Sequence, residues 1–471
     1  MSIIWTLQAY GESVPLLVIP AGYPRRIAHV PPNFNSTITM AHVAKHAEPI
    51  TSGADIENVM RRAFSLLRNG RGSPVIIEFP AEANGEDAPD PLTYEPIKPT
   101  RYGPDPAAVK EAAKVLVEAK RPVIYAGHGV HWAEAYDELK ELAELLAIPV
   151  CTSLQGKSSF DETHPLSLGS GGRAYPRQVR HFLDKCDVLF GIGCSFTETN
   201  FGISMPKGKT VIHTTLDPNH LNKDVRCQYG LIGDAKLALR AMIDECSKLV
   251  GGKKRDAAPV VAEIKPIADE WLKEWMPKLT NNEAPLNPYR VLWDLQHTVD
   301  KANTIITHDA GSPRDQLSPF WKTTAPHTYI GWGKTTQLGY GLAGHGRQAA
   351  CKPGQTLHQR LGRRRHRLHR HGLRDGGART HSDHVDPAQQ LLDGDRAAHH
   401  AEGLDREVPL DRHLGRLRRD GASAFGGYGE RVTKPEDIIP AIKRGIEQTK
   451  KGVPVLLEFI TSKEVTISTP K

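Results

Sequence analysis

Short apolar runs alternate with helix-spaced apolar positions along most of the chain. Residues 13–22 (SVPLLVIPAG) and 73–80 (SPVIIEFP) read as buried strands, and 56–67 carries apolar residues at helical spacing, Ile56, Met60, Ala63, Phe64 and Leu67. The first residues, MSIIWTLQAY, read as the middle of a domain. A Pro-rich stretch, 88–106, then reads as a linker. From Ala107 the pattern restarts: helix, strand 122–126, helix 133–146, strand 148–152, helix 176–183, and strands 187–192 and 210–214. Strands alternating with amphipathic helices predict an α/β fold built on parallel sheets. A second linker, 251–287, contains a short helix near 262–275. Beyond it come a helix at 289–299, a strand at 304–307, the turn-rich HDAGSPRDQ, a Gly-rich loop at 331–342 entering a helix, and finally a helix at 435–449 and a strand at 454–460.

Length supports the same division, since 471 residues is about three domains' worth of chain. The expected boundaries are 1–87, a linker 88–106, 107–250, a linker 251–287, and 288–471. With 39% hydrophobic and 24% charged residues the composition is that of a globular protein. No apolar run reaches the roughly 20 residues of a membrane span, so no membrane partner is expected. Six scattered cysteines without a CxxC pair, and no secretory signal, predict free thiols in a cytoplasmic protein.

Charge changes the picture at one place. The net charge is +7, yet residues 345–421 hold fifteen Arg and one Lys against ten acidic residues, so a surplus of six lies in this block. It also holds ten of the 22 His and contains no Ile, Phe, Tyr, Trp, Met or Asn. Such a composition buries little apolar surface to offset ordering entropy, so poorly packed loop or isolated helix is expected there, leaving the third sheet without its middle strands. An Arg/His-rich segment also fits nucleic-acid binding, and His366, His369 and His371 have metal-like spacing. Neither is the favoured reading.

Candidate chemistry sits at strand ends. Gly127 and Gly129 follow the strand PVIYA, and Gly191 and Gly193 follow DVLF, at the sheet edge where nucleotides bind; tight turns after buried strands explain the same glycines. Gly311 and Ser312, and Gly339 and Gly341 heading a helix, are small enough to let backbone N–H groups approach a diphosphate, or are turn formers. His308 and Asp309 are candidate site residues or a capped turn.

The ordered series ESVPLLVIPAG, GRGSPVIIEFP, RPVIYAGHGV, AIPVCTS, HPLSLG, DVLFGIGCSF, LDPNH, IGDAKLAL, HDAGSPRDQ and TTQLGYGL resembles the thiamine-diphosphate enzymes of the acetolactate synthase and 2-oxo-acid decarboxylase group. The resemblance implies a pyrimidine-binding, a central and a diphosphate-binding module. It implies Asp309, Gly311, Ser312, Leu338, Gly339 and Gly341 as contacts of thiamine diphosphate with Mg²⁺, Leu338 being the bulky residue that holds the cofactor bent. Gly127, Gly129 and Asp217 are implied contacts of FAD or another nucleotide in the central module. A small 2-oxo acid is the implied substrate, and a homodimer or tetramer the implied assembly, since such sites form between two chains.

Two departures follow. The family's first domain begins earlier and carries there the Glu that protonates the cofactor's pyrimidine; Glu12 follows the wrong strand to serve. The family's Gly-Asp-Gly (or Gly-Asp-Ala) and Asn-Asn metal motif is also missing from the sequence. Read one base later, however, the codons of residues 362–374 are compatible with a run opening Gly-Asp-Ala, and those of Gln389 and Gln390 with Asn-Asn. Residues 365–388 separate the two, twenty-four positions, as in the family. A shift of reading frame from about 343 to 421 is therefore inferred, with no catalytic or metal-ligating residue assigned and activity not expected of the chain as it stands. Another 2-oxo-acid or acyl-CoA decarboxylase, and a non-catalytic α/β scaffold, remain alternatives.

Overall fold

The computed structural model describes residues 2–332, 334, 356–362, 385–386, 390–391 and 426–470. Three parallel sheets follow one another along the chain. The first has the order β1-β3-β2, from β1 (Leu16–Val18), β2 (His46–Pro49) and β3 (Pro74–Glu78), with α1 (Ser2–Glu12), α2 (Ser36–Thr39) and α3 (Ile56–Arg68). β3 is buried along its whole length, whereas β1 is only half-buried and much shorter than its apolar run. Helix α3 packs Val59 and Ala63 onto Val75 and Ile77, with Ile56 and Leu67 beside them; of the predicted face, Met60 and Phe64 fall outside this core and Val59 takes their place.

The second sheet runs β6-β5-β4-β7-β8-β9. Its strands are β4 (Pro122–Ala126), β5 (Val150–Ser153), β6 (Ser167–Gly171), β7 (Val188–Ile192), β8 (Thr210–Thr215) and β9 (Tyr229–Ile232). Its helices are α4 (Pro106–Glu118), α5 (Gly129–Ala133), α6 (Tyr136–Leu146), α7 (Arg177–Lys185) and α8 (Ala235–Leu249). Side chains alternate across the sheet. Ile124, Ala126 and Phe190 face the core made with α4, α6 and α8, while Val123, Tyr125 and Leu189 face Val179, Phe182 and Leu183 of α7. The helix expected over 133–146 begins only at Tyr136: Ala133 is the last residue of the separate α5, which Glu134 ends in the left-handed conformation, at φ 52°. β6 and β9 carry weak apolar signals and emerge only through pairing.

The expected short helix near 262–275 is longer: α9 (Ala258–Leu279) spans 22 residues and runs on through Pro266 and Pro277. Tertiary packing overrides the local cost of proline. Ile264 joins the core of the second sheet, while Trp271 and Leu279 join that of the third. Trp271 stacks on Phe320 with ring centres 5.0 Å apart and donates its indole N–H to Ser468 Oγ at 2.9 Å.

The third sheet has the order β11-β10-β12-β14-β16-β15, with β13 beside β12. It comprises β10 (Thr304–His308), β11 (Tyr329–Ile330), β12 (Thr356–Gly362), β13 (Val385–Asp386), β14 (Gln390–Leu391), β15 (Tyr428–Val432) and β16 (Val455–Phe459), with α10 (Pro288–Thr298), α11 (Ser312–Leu317) and α12 (Ile438–Lys450). The missing middle strands are thus a corrected expectation. Thr304 to His308 pair in parallel with residues 356–360, and residues 361–362 with 390–391. The ladder is made by backbone groups that every non-proline residue carries, so the block's composition did not exclude it. The rest of 345–421, including the shifted Gly-Asp-Ala beyond Gly362, lies outside the described residues.

Candidate functional site

A cavity of about 1200 Å³ opens at the carboxyl ends of β4 and β7. These central strands are neighbours, but the chain runs from β4 toward β6 on one side and from β7 toward β9 on the other. Their loops therefore diverge, which is the physical origin of a ligand crevice in doubly wound sheets. Gly127 and Gly129 line it. Gly127 N–H donates to Ile192 O at 2.9 Å and Gly129 N–H to Gly193 O at 2.8 Å. A Cβ on either would overlap the backbone of Gly193 or Cys194. The glycines thus let two loops lie against each other, and this close packing shapes the cavity wall.

All three sheets contribute walls: Glu12, Ser13 and Arg71 from the first, Gly127, His128 and Cys194 from the second, and Lys334 from the third. Arg71 directs Nε and Nη2 to Ser13 Oγ, at 3.0 and 2.7 Å, and Nη1 to Asp217 at 3.2 Å. Asp217 itself is not among the cavity-lining residues. It caps the turn at 218–220, accepting from Asn219 N at 3.0 Å. Burial opposes its ionisation, but the Asn219 hydrogen bond and the charge of Arg71 outweigh it and hold the carboxyl below its usual range. Burial and Arg71 push the neighbouring His220 down to about 3.

The second candidate region is the carboxyl end of β10. Asp309 is fully buried and its Oδ1 accepts from Ala310 N at 2.9 Å. Gly311 has φ 83°, a value that favours glycine, and delivers the chain into α11 at Ser312. His308 stacks on Trp332, whose indole N–H donates to His308 O at 3.0 Å. Neither the large cavity nor the small one below reaches Asp309, Gly311 or Ser312. Leu338, Gly339 and Gly341 lie outside the described residues.

Between these regions is a cavity of about 100 Å³ bordered by Glu12, His128, His131, His327 and Trp332. His131 Nε2 lies 3.0 Å from Lys157 O, so that nitrogen carries the proton, leaving Nδ1 to accept from the Tyr136 hydroxyl at 3.1 Å. Tyr136 in turn lies 2.7 Å from His327 Nε2. Burial, then His128 and His327, push His131 down to about 3. Among the described residues no group of three His, Cys, Asp or Glu is placed to hold a metal ion, and no helix is long and apolar enough to cross a membrane.

Residues 109–242 match the family model described as thiamine pyrophosphate enzyme, central domain. The chain is related to the thiamine pyrophosphate enzymes. The probable acetolactate synthase large subunit of Methanocaldococcus jannaschii is 31% identical over 351 residues, 71% of this chain and 58% of that protein. The acetolactate synthase isozyme 3 large subunit of Escherichia coli K12 is 27% identical over 308 residues, 64% of this chain and 53% of that protein. The glyoxylate carboligase of Escherichia coli O157:H7 is 28% identical over 290 residues, 60% and 48%. The chain thus spans about half the length of the curated relatives it matches. The matched central domain contains Gly127, Gly129 and Asp217 and most of the large cavity's wall. Arg71 and Lys334, from the other two sheets, were not singled out by sequence, although Arg71 lies in the segment GRGSPV and Lys334 in the Gly-rich loop 331–342.

Proposed function

We propose that this chain is an acetolactate synthase-like polypeptide, built for a thiamine-diphosphate- and Mg²⁺-dependent reaction in which one small 2-oxo acid is decarboxylated and joined to a second. Bound thiamine diphosphate supplies the carbanion chemistry of such a reaction. Asp309, Gly311 and Ser312, at the carboxyl end of β10, would form one side of its diphosphate cradle, and Leu338, Gly339 and Gly341 the other. In this reading the framework is that of a cytoplasmic homodimer or tetramer of branched-chain amino acid synthesis, with no activity expected of the present chain.

The large cavity is assigned to an adenine dinucleotide such as FAD. The single observation that carries this is its place, at the point where the order of the central sheet reverses, with glycine-lined walls and a volume at the upper end of ordinary ligand sites. These features fit a dinucleotide. Titration of the purified chain with FAD, and with thiamine diphosphate with and without Mg²⁺, tests the reading, together with an assay for acetolactate formed from pyruvate. Saturable FAD uptake and Mg²⁺-dependent thiamine diphosphate uptake support it. Failure to take up either cofactor overturns it in favour of a non-catalytic scaffold.

A further inference from the structure

The large cavity holds a deep cation that the fold leaves unengaged. Lys334 enters the cavity wall with its backbone N–H donating to Glu12 Oε1 at 3.0 Å, which fixes the residue against α1. No hydrogen bond or ion pair among the described residues engages its amine, and that amine is not sealed from the cavity. Of the other cavity cations, Arg71 is committed to Ser13 and Asp217, and Arg101 to Ala133 O at 3.2 Å and, more distantly, Asp234, while Lys207 and Arg226 are exposed to solvent.

The groups facing Lys334 come from several elements. Glu12 of α1 attracts its charge, while Arg71, ahead of β3, and Lys223, beyond the turn at 218–220, repel it; Cys194 lies after β7. His128, after β4, and His220 feel the charge of Lys334, but burial holds them near pKa 4 and 3, so both are neutral at pH 7. Burial, with Arg71 and Lys223 against the pull of Glu12, brings the Lys334 amine down to about 8. An amine kept in a desolvated cavity beside two other cations is poorly compensated by the protein alone.

Resting on the dinucleotide reading of the cavity, we propose that Lys334 is its phosphoryl-binding residue, pairing its ammonium with an oxygen of the ligand's diphosphate. The carboxylate of Glu12 positions the lysine through the backbone. A bound phosphoryl oxygen supplies the missing counter-charge, so the ammonium form is favoured and binding above pH 8 draws a proton from solvent. His128 and His220 titrate far below that range, which leaves the alkaline uptake to the lysine.

Calorimetric titration of the full chain, in buffers of different ionisation enthalpy, tests this with FAD, ADP, riboflavin and inorganic phosphate as probes. At pH 9 the expected uptake is about one proton per FAD or ADP and none for riboflavin, which has no phosphate; at pH 7 uptake with FAD nearly vanishes. Lys334→Gln should weaken FAD at pH 7 about tenfold and abolish the uptake at pH 9. Lys334→Arg should keep the affinity yet lose the uptake, because a guanidinium does not titrate there. FAD binding with unchanged uptake in Lys334→Gln overturns this proposal alone. Uptake with inorganic phosphate but not with ADP overturns the dinucleotide as the source of the phosphoryl group. Absence of binding by both FAD and ADP overturns the dinucleotide reading together with the proposal.

Discussion

Glu162 and Thr323 are joined three times: Thr323 N–H and Oγ1 donate to Glu162 Oε2 at 2.8 and 3.1 Å, and Glu162 N–H donates to Thr323 O at 2.9 Å. The same carboxylate receives Lys157 Nζ at 2.6 Å, and Lys157 and Glu162 are 1% and 5% exposed. One buried acid thus ties the segment between β5 and β6 to the segment between α11 and β11.

Removing that acid should be expensive. Burial already lowers the Lys157 pKa, with Glu162 as the compensating charge. Glu162→Ala leaves a buried ammonium unpaired and is expected to destabilise the chain by roughly 3–5 kcal/mol, read from urea denaturation midpoints. A loss below about 1 kcal/mol would show that the pair is not buried in solution.

Acid should weaken the fold through His131. The unfolded imidazole takes its proton near its ordinary value of about 6.5, whereas the native one stays neutral down to about 3. Between these values the unfolded state binds more protons, so stability is complete above about pH 6.5 and falls as the pH drops below it. His131→Asn should flatten this part of the stability profile. Melting temperatures from pH 7.5 to 5 that fall equally steeply in the variant would assign the effect elsewhere.

Close packing at the cavity wall predicts an intolerant glycine. Gly127→Ala drives a methyl group into Gly193 and Cys194 and should cost about 1–3 kcal/mol, with loss of FAD binding. Gly85→Ala, where an added methyl meets nothing within 4 Å, serves as the neutral comparison in thermal denaturation.

Helix α9 should act as a clamp between two cores. Trp271→Ala removes a 5%-exposed ring that stacks on Phe320 and is expected to cost about 3–5 kcal/mol in chemical denaturation. Trp271→Phe keeps most of the stacking and should recover a large part of that loss.

A shifted reading frame is legible in the gene. Sequencing the gene across codons 343–421 should reveal Gly-Asp-Ala and Asn-Asn in the neighbouring frame, twenty-four codons apart. A polypeptide with the frame restored should bind Mg²⁺-thiamine diphosphate more tightly than the present one in a direct titration. DNA lacking the Asn-Asn codons refutes the shift.

By itself, the sequence determined the elements whose signals are local. The buried run Pro122–Ala126 had to be a strand, because its uninterrupted apolar side chains serve cores on both faces. Ile56, Ala63 and Leu67 marked the inner face of α3. Gly127 and Gly129 announced a tight loop. The sequence left open whether those glycines were turn formers or ligand contacts. Only the fold placed them against Gly193 across the reversal in strand order, where packing two loops and walling a cavity are one act.

Tertiary contact decided the rest. Pro266 and Pro277 marked 251–287 as linker, but Trp271 and Leu279 bury enough surface against the third core to hold a helix through both prolines. The composition of 345–421 argued against strands, yet the backbone of Thr356–Gly362 completes a ladder whose hydrogen bonds do not depend on side chains. Lys334, Arg71 and Glu12 are far apart in sequence, and nothing along the chain linked them to one another. They converge because three sheets meet at one crevice, and long-range convergence of charges leaves no periodic trace along a chain.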